Sequence, residues 1–183
     1  MIEILPLEQI ADKTLQDAYA MVVELYQRRK ESKLLEKLCH DSKFNPVSFL
    51  VHFHTYRTFT VLQLGFIAGI YQQYASHQKA NERYQAGGYR EELISLLQDM
   101  LVNIPIPKTR AVQGAKGALA QKLKELQEGQ PVFSRYFSIN PALLDLLPDA
   151  RKEGLVERLE NLTSTYWELF REERSKLTLE NIR

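Results

Sequence analysis

Four histidines and one cysteine are the residues of this chain best suited to acid–base, nucleophilic or metal chemistry: His40, His52, His54, His77 and Cys39. A metal site needs such ligands at a spacing that brings them together. His52-x-His54 does so on a strand, where alternate residues share a face. On a helix the two rings stand about 200° apart and cannot hold one ion. No HExxH, no Glu-x-x-His pair and no paired CxxC occurs. Cys39 with His40-Asp41 has the residue types of a nucleophile system, yet sequence neighbours on a helix do not face one another. Phosphate-cradling GxxxxGK[ST] and GxGxxG loops are absent as well. No catalytic residue, metal ligand or cofactor is therefore expected.

A different chemistry is carried by cations. Residues 100–124 contain no acid and five bases: Lys108, Arg110, Lys116, Lys122 and Lys124. On a helical wheel Val112, Ala115, Leu119, Leu123 and Leu126 form one buried stripe. Arg110, Gln113, Gly114, Gly117, Gln121 and Lys124 lie opposite, flanked by Lys116 and Lys122. Glycines inside a helix cost stability, but they leave a low surface that another backbone can approach. Cations and amides around such a surface suit a phosphate backbone, because they donate hydrogen bonds and displace counterions. Arg28, Arg29, Lys30, Lys33 and Lys37, ending with Lys43, form a second basic group, interspersed with Glu31, Glu36 and Asp41, for which a solvated, salt-bridged face is an adequate account. Neither group carries a signature of base-specific reading.

Composition frames these sites. The chain has 183 residues, 44% hydrophobic and 26% charged, with a net charge of +1. That is enough to bury a core without disulfides, and one cysteine permits no internal disulfide. The near-neutral total hides a basic middle: residues 1–27 carry five acids and one base, residues 28–124 seven acids and fifteen bases, residues 125–183 eleven acids and eight bases. The opening MIEILPLEQI lacks the form of a signal peptide, so the cytoplasm is the default compartment.

The elements that must position the cations read as helices. Apolar residues from Leu7 to Tyr26 recur every three or four positions. With no Gly or Pro before Pro46, that helix can continue through Leu34, Leu35 and Leu38. Asn45-Pro46 is a helix start. The apolar run from Pro46 to about Tyr84 is expected to be helical; a strand over 47–61 is the competing reading, disfavoured because alternation fails at Phe49-Leu50-Val51. Its uncharged stretch, Thr58 to Gln78, has the length of a membrane span but contains Gln63, Gln72, Gln73, Ser76 and His77, and its strongly apolar centre, Phe59 to Tyr71, is too short to cross a bilayer. Gly65-x-x-x-Gly69 is expected to pack tightly against another helix. Gly87-Gly88 marks a loop, and helices are expected over 89–103, from Thr109 to about Glu128, from Asn140-Pro141 to Leu147, and from Asp149 to about Leu177. Residues 130–141 read as irregular. The expected architecture is one all-α domain spanning residues 1–183, a single bundle of five to seven helices. On its last helix Tyr166, Trp167 and Phe170 are core residues or subunit anchors.

Three segments carry a family likeness: NPVSFLVHFHTYRTFTVLQLGF, IPIPKTRAVQGAKGALAQKLK and SRYFSINPALLDLLPDARKEGLVERLENLTSTYWELFREE. Together they resemble the small helical subunit of CRISPR effector (Cascade-type) complexes, in particular the C-terminal helical region of the type I-D large subunit. The resemblance implies a non-catalytic subunit of a crRNA-guided interference complex, partnered by other effector subunits and further copies of itself. It would brace the assembly and contact target or displaced DNA through Lys108, Arg110, Lys116, Lys122, Lys124, Arg28, Arg29 and Lys33. The alternative is a helical protein-interaction bundle with no nucleic-acid role, docking through its aromatic last helix. Neither reading involves a membrane.

Overall fold

Side-chain oxygens set the helix starts in this chain. Asp12 accepts from the Leu15 amide at 2.9 Å, Ser32 from Leu35 at 3.3 Å and Asn45 from Val47 at 3.1 Å. Thr109 accepts from Val112 at 3.3 Å and Asn140 from Ala142 at 2.9 Å. Each satisfies one of the amides that the first turn of a helix leaves open. The structure is a computed structural model that describes residues 1–177. Among them are eight α-helices: α1 (Lys13–Arg28), α2 (Lys33–Asp41), α3 (Pro46–Tyr56), α4 (Val61–Ala86), α5 (Tyr89–Asn103), α6 (Arg110–Gln127), α7 (Pro141–Leu144) and α8 (Asp149–Lys176). Single 3-10 turns cover Leu7–Gln9 and Ser134–Tyr136, and no strand occurs among the described residues. The all-α class holds; the helix count exceeds the expected five to seven.

The surplus has two local causes. The first helix does not run on from Leu7 to Leu38. Asp12 starts α1, α1 closes at Arg28, and the Ser32 hydroxyl starts α2 afresh. The long helix expected from Pro46 to Tyr84 is likewise two. Arg57 takes a left-handed conformation (φ 57°, ψ 25°) and its amide closes α3 on the Phe53 carbonyl at 2.8 Å. Four residues later α4 begins behind a reciprocal capping box: the Gln63 amide donates to Thr60 Oγ1 at 3.1 Å, and the Thr60 amide to Gln63 Oε1 at 2.8 Å. The expected boundaries of α5, α6 and α8 agree with the observed ones to within a residue.

The chain divides into two compact units, one of residues 1–77 with the chain from Glu173 on, the other of residues 78–172. The first is built on aromatic packing. Tyr19 and Phe53 are fully buried with ring centres 4.7 Å apart, and Phe53 meets Phe59 at 5.0 Å. Tyr19 also accepts the Leu5 amide at 3.0 Å, which ties the N-terminal segment to α1. Tyr71 donates to Glu24 at 2.6 Å; burial and that carboxylate hold its phenol protonated well above the ordinary tyrosine range. Gln72 donates to the carbonyls of Arg174 and Leu177, securing the end of α8 within this unit.

In the second unit Leu93, Leu96, Leu97 and Met100 of α5 are fully buried, with Leu119 and Leu126 of α6 and Leu155, Leu159 and Leu162 of α8. Tyr84 donates to the Leu162 carbonyl at 3.1 Å and meets Tyr166 edge-on at 5.5 Å. The irregular segment before α7 has a specific tether. The Asn81 amide group donates to the Val132 carbonyl at 2.9 Å and accepts the Val132 amide at 2.5 Å, doing for one residue what a neighbouring strand would do.

His77 is buried, and desolvation lowers its pKa from the ordinary 6.5 to about 4. Below about pH 6.5 the unfolded chain takes up a proton that the folded protein refuses until about pH 4. Stability therefore falls through that window by up to about 3 kcal/mol and levels off beneath it. Urea midpoints measured between pH 7 and pH 4.5 should fall further for the wild type than for His77→Gln. At the α3–α4 break, Arg57→Gly relieves a left-handed non-glycine residue and should stabilise by roughly 0.5–1 kcal/mol. Thr60→Val removes one half of the capping box and should cost about 1 kcal/mol by the same assay.

Candidate nucleic-acid interface

α6 presents its cations from a helix whose apolar stripe faces α5. Leu119 and Leu126 are buried, and Val112, Ala115 and Leu123 are half-buried, as the wheel places them. Three cation-to-carbonyl bonds then fix the helix along its length. Lys116 Nζ donates to the Ile104 carbonyl at 2.8 Å, Lys122 Nζ to the Ser138 carbonyl at 2.6 Å, and the buried Arg90 to the Leu126 carbonyl at 2.5 Å. Burial, with Arg135 nearby, lowers the pKa of Lys122 below the ordinary lysine value. Arg135 pairs with Glu125, which also accepts from the Tyr136 hydroxyl at 3.2 Å.

These bonds sort the cations of the 100–124 segment. Lys116 and Lys122 are half-buried and spent on backbone carbonyls. Lys124 is exposed and lies 3.8 Å from Glu128, one turn on. Lys108 and Arg110 are exposed and have no acceptor among the described residues. They flank Thr109, the N-cap of α6, where the open amides and the helix dipole add positive potential. Beyond them Gly114 and Gly117 are exposed, and a Cβ added at either would meet no atom within 4 Å. The outer face of α6 is therefore low and open, as its sequence suggests.

The second basic group lies in the other unit. Arg28 reaches Glu24 at 3.5 Å, and the Tyr74 hydroxyl beside it raises the guanidinium pKa further. Arg29 stands 5.7 Å over the Tyr26 ring and donates to Asn45 at 3.5 Å. Lys33 reaches Glu36 at 3.5 Å. With Lys30 of the same basic group, Arg29 and Lys33 line a cleft at the α1–α2 junction.

The residues suited to catalysis are not gathered. His54 Nε2 lies 3.3 Å from the Tyr19 hydroxyl, whereas His52 packs on Tyr56 at 4.8 Å. Cys39 is buried, which pushes its thiol pKa up, while the exposed His40 ring contacts Asp41. Among the described residues no three histidine, cysteine or acidic side chains stand together as metal ligands. No described helix is long and apolar enough to cross a membrane.

One expectation about surfaces is corrected: Gly65 and Gly69 are exposed, and a Cβ at either would touch nothing within 4 Å, so this pair packs against no helix among the described residues. On α8, Tyr166 and Phe170 are buried as core residues, the first of the two roles expected of them. An exposed apolar surface sits at the start of α4, and Val102 and Ile106 of the other unit are as exposed. Val61 and Leu62 are 85% and 87% exposed, next to Gly65 and Phe66. Beside them a groove of about 300 Å³ is lined by Ala18 and Met21 of α1 with Val61, Leu64 and Gly65 of α4. Sequence reasoning missed this face because it took Thr60–Val61 for helix interior; the T-x-x-Q box was the available signal.

Fold and surfaces together define an all-α chain with basic groups on both units and an exposed apolar start to α4. No family model, no curated protein and no solved structure matches this chain.

Arg90 should prove structural and Arg110 not. Arg90→Met removes a buried charged hydrogen bond and should lower unfolding stability by about 2 kcal/mol. Arg110→Ala should change it by less than about 0.5 kcal/mol. Chemical denaturation of the two variants checks both.

Proposed function

We propose that this chain is a non-catalytic, nucleic-acid-bracing subunit of a larger ribonucleoprotein, of the kind implied by its resemblance to CRISPR small subunits. One observation carries the reading: Lys108 and Arg110 are exposed cations with no acceptor among the described residues, at the head of the open, glycine-lined face of α6. The helix end fixes the backbone that carries both cations, so that binding a phosphate backbone orders only their side chains. Their contacts are to phosphate, so they position a strand without reading its sequence. The partners of this reading are target or displaced DNA, other effector subunits and further copies of the chain.

The apolar start of α4 favours a second reading, a bundle that docks a protein partner without nucleic acid. Exposed Val61 and Leu62 beside an apolar groove have the make-up of a protein-binding surface.

Salt titration separates the two. Each phosphate contact contributes close to one unit to the slope of log K against log salt. Lys108→Ala with Arg110→Ala should reduce that slope by about 1–2 for single- or double-stranded DNA. Lys122→Ala should lower stability and leave the slope in place. An unchanged slope in the double variant overturns the assignment of this face. Gly114→Ala with Gly117→Ala should stabilise α6 by about 1–2 kcal/mol, because the added methyls meet open space, while weakening retention of the strand. In native affinity purification, a particle carrying discrete guide RNAs supports the first reading; a protein-only complex indifferent to nuclease supports the second.

A further inference from the structure

The cleft at the α1–α2 junction is a solvent-open groove of about 430 Å³, lined by Arg29, Lys30, Lys33, Glu36 and Cys39. Three cations and one acid leave an excess of two positive charges around a volume that a small molecule fills. The four-residue connection between the helices produces this gathering. Arg29 caps the end of α1, Lys33 opens α2, and Ser32 turns the chain between them. The first-turn amides of α2 add to the positive potential there.

The charges are available at modest cost. Lys30 is exposed and has no acceptor among the described residues. Lys33 lies 3.5 Å from Glu36, but both side chains are more than half exposed, so this pair is weak and yields readily to a stronger anion. Arg29 bonds only the neutral Asn45 amide, at 3.5 Å. Its guanidinium offers a planar fork that matches two oxygens of a tetrahedral oxyanion. The Cys39 thiol, kept neutral by burial, adds no negative charge to the wall.

The geometry points to a binding site for the phosphoryl group of a small phosphate monoester, with Arg29, Lys30 and Lys33 as its ligands. The excess of two cationic charges matches a phosphate dianion, and the open groove leaves room for an attached organic group. Glu36 opposes binding and sets its strength by competing for Lys33. This site belongs to the first unit and stands independently of the α6 reading.

Titration of the 15N-labelled full chain with inorganic phosphate, with adenosine 5′-monophosphate and with a short oligonucleotide lacking terminal phosphates tests it. Saturable amide shifts confined to residues 29–39 on addition of phosphate or the nucleotide support the site. Arg29→Met should weaken that binding at least tenfold. Glu36→Gln should tighten it severalfold, while Glu8→Gln, an equal change in net charge elsewhere, leaves it unaltered. Circular dichroism checks that each variant retains its helices. Absence of saturable shifts below about 10 mM overturns the proposal. So does binding of the oligonucleotide alone, which makes the cleft a contact for a strand, and so does equal tightening in both glutamine variants.

Discussion

Backbone carbonyls that a helical chain cannot satisfy within its own helices need donors, and α6 is placed by how that need is met. Arg90, Lys116 and Lys122 each spend a cation on a carbonyl, at Leu126, Ile104 and Ser138. A donor carrying full charge gives a stronger bond than a neutral one, and in a poorly hydrated setting it holds geometry more firmly. α6 is therefore pinned at its C-terminal end, in its middle and to the irregular segment beyond it. What remains on its outer side is a rigid platform with little internal bonding. Two of the five bases of this segment are structural tethers and a third faces Glu128, which leaves Lys108 and Arg110 to act.

The same economy explains why charge counts mislead here. Five bases in an acid-free segment describe a strongly cationic surface, yet two of them are half-buried tethers and a third faces an acid one turn away. In the first unit the opposite holds. Acids interspersed with Arg29, Lys30 and Lys33 read as a neutralised surface, but the helix break turns three cations into one cleft and leaves one acid on its wall. Position along a sequence counts charges, whereas function depends on which of them have already found a partner.

The helix periods and caps were legible because they are local. Thr109, Asn140 and Asp149 announce their helices within three or four residues, and the buried stripe of α6 follows from spacing alone. The two missed breaks were local as well, written in Ser32 and in Thr60-x-x-Gln63, but apolar residues around them carried the helical period across. Gly65 and Gly69 illustrate a different limit. Spacing shows that a helix can approach them, but not whether one does. The lysine tethers and the cleft were out of reach because each joins residues from different elements.

The division of the chain bears on the order in which the protein can be completed. Residues 78–172 are continuous in sequence, so this unit has all its parts once Glu172 has been made. The first unit starts earlier and finishes later: Gln72 awaits the carbonyls of Arg174 and Leu177, and buried Glu173 belongs to it too. During synthesis from the N-terminus, the aromatic cluster around Tyr19 and Phe53, drawn from residues 2–74, is nonetheless complete in sequence first, while Gln72 awaits the end of α8. That unfinished edge beside Gln72 is where a chaperone or an assembling neighbour would find its first hold.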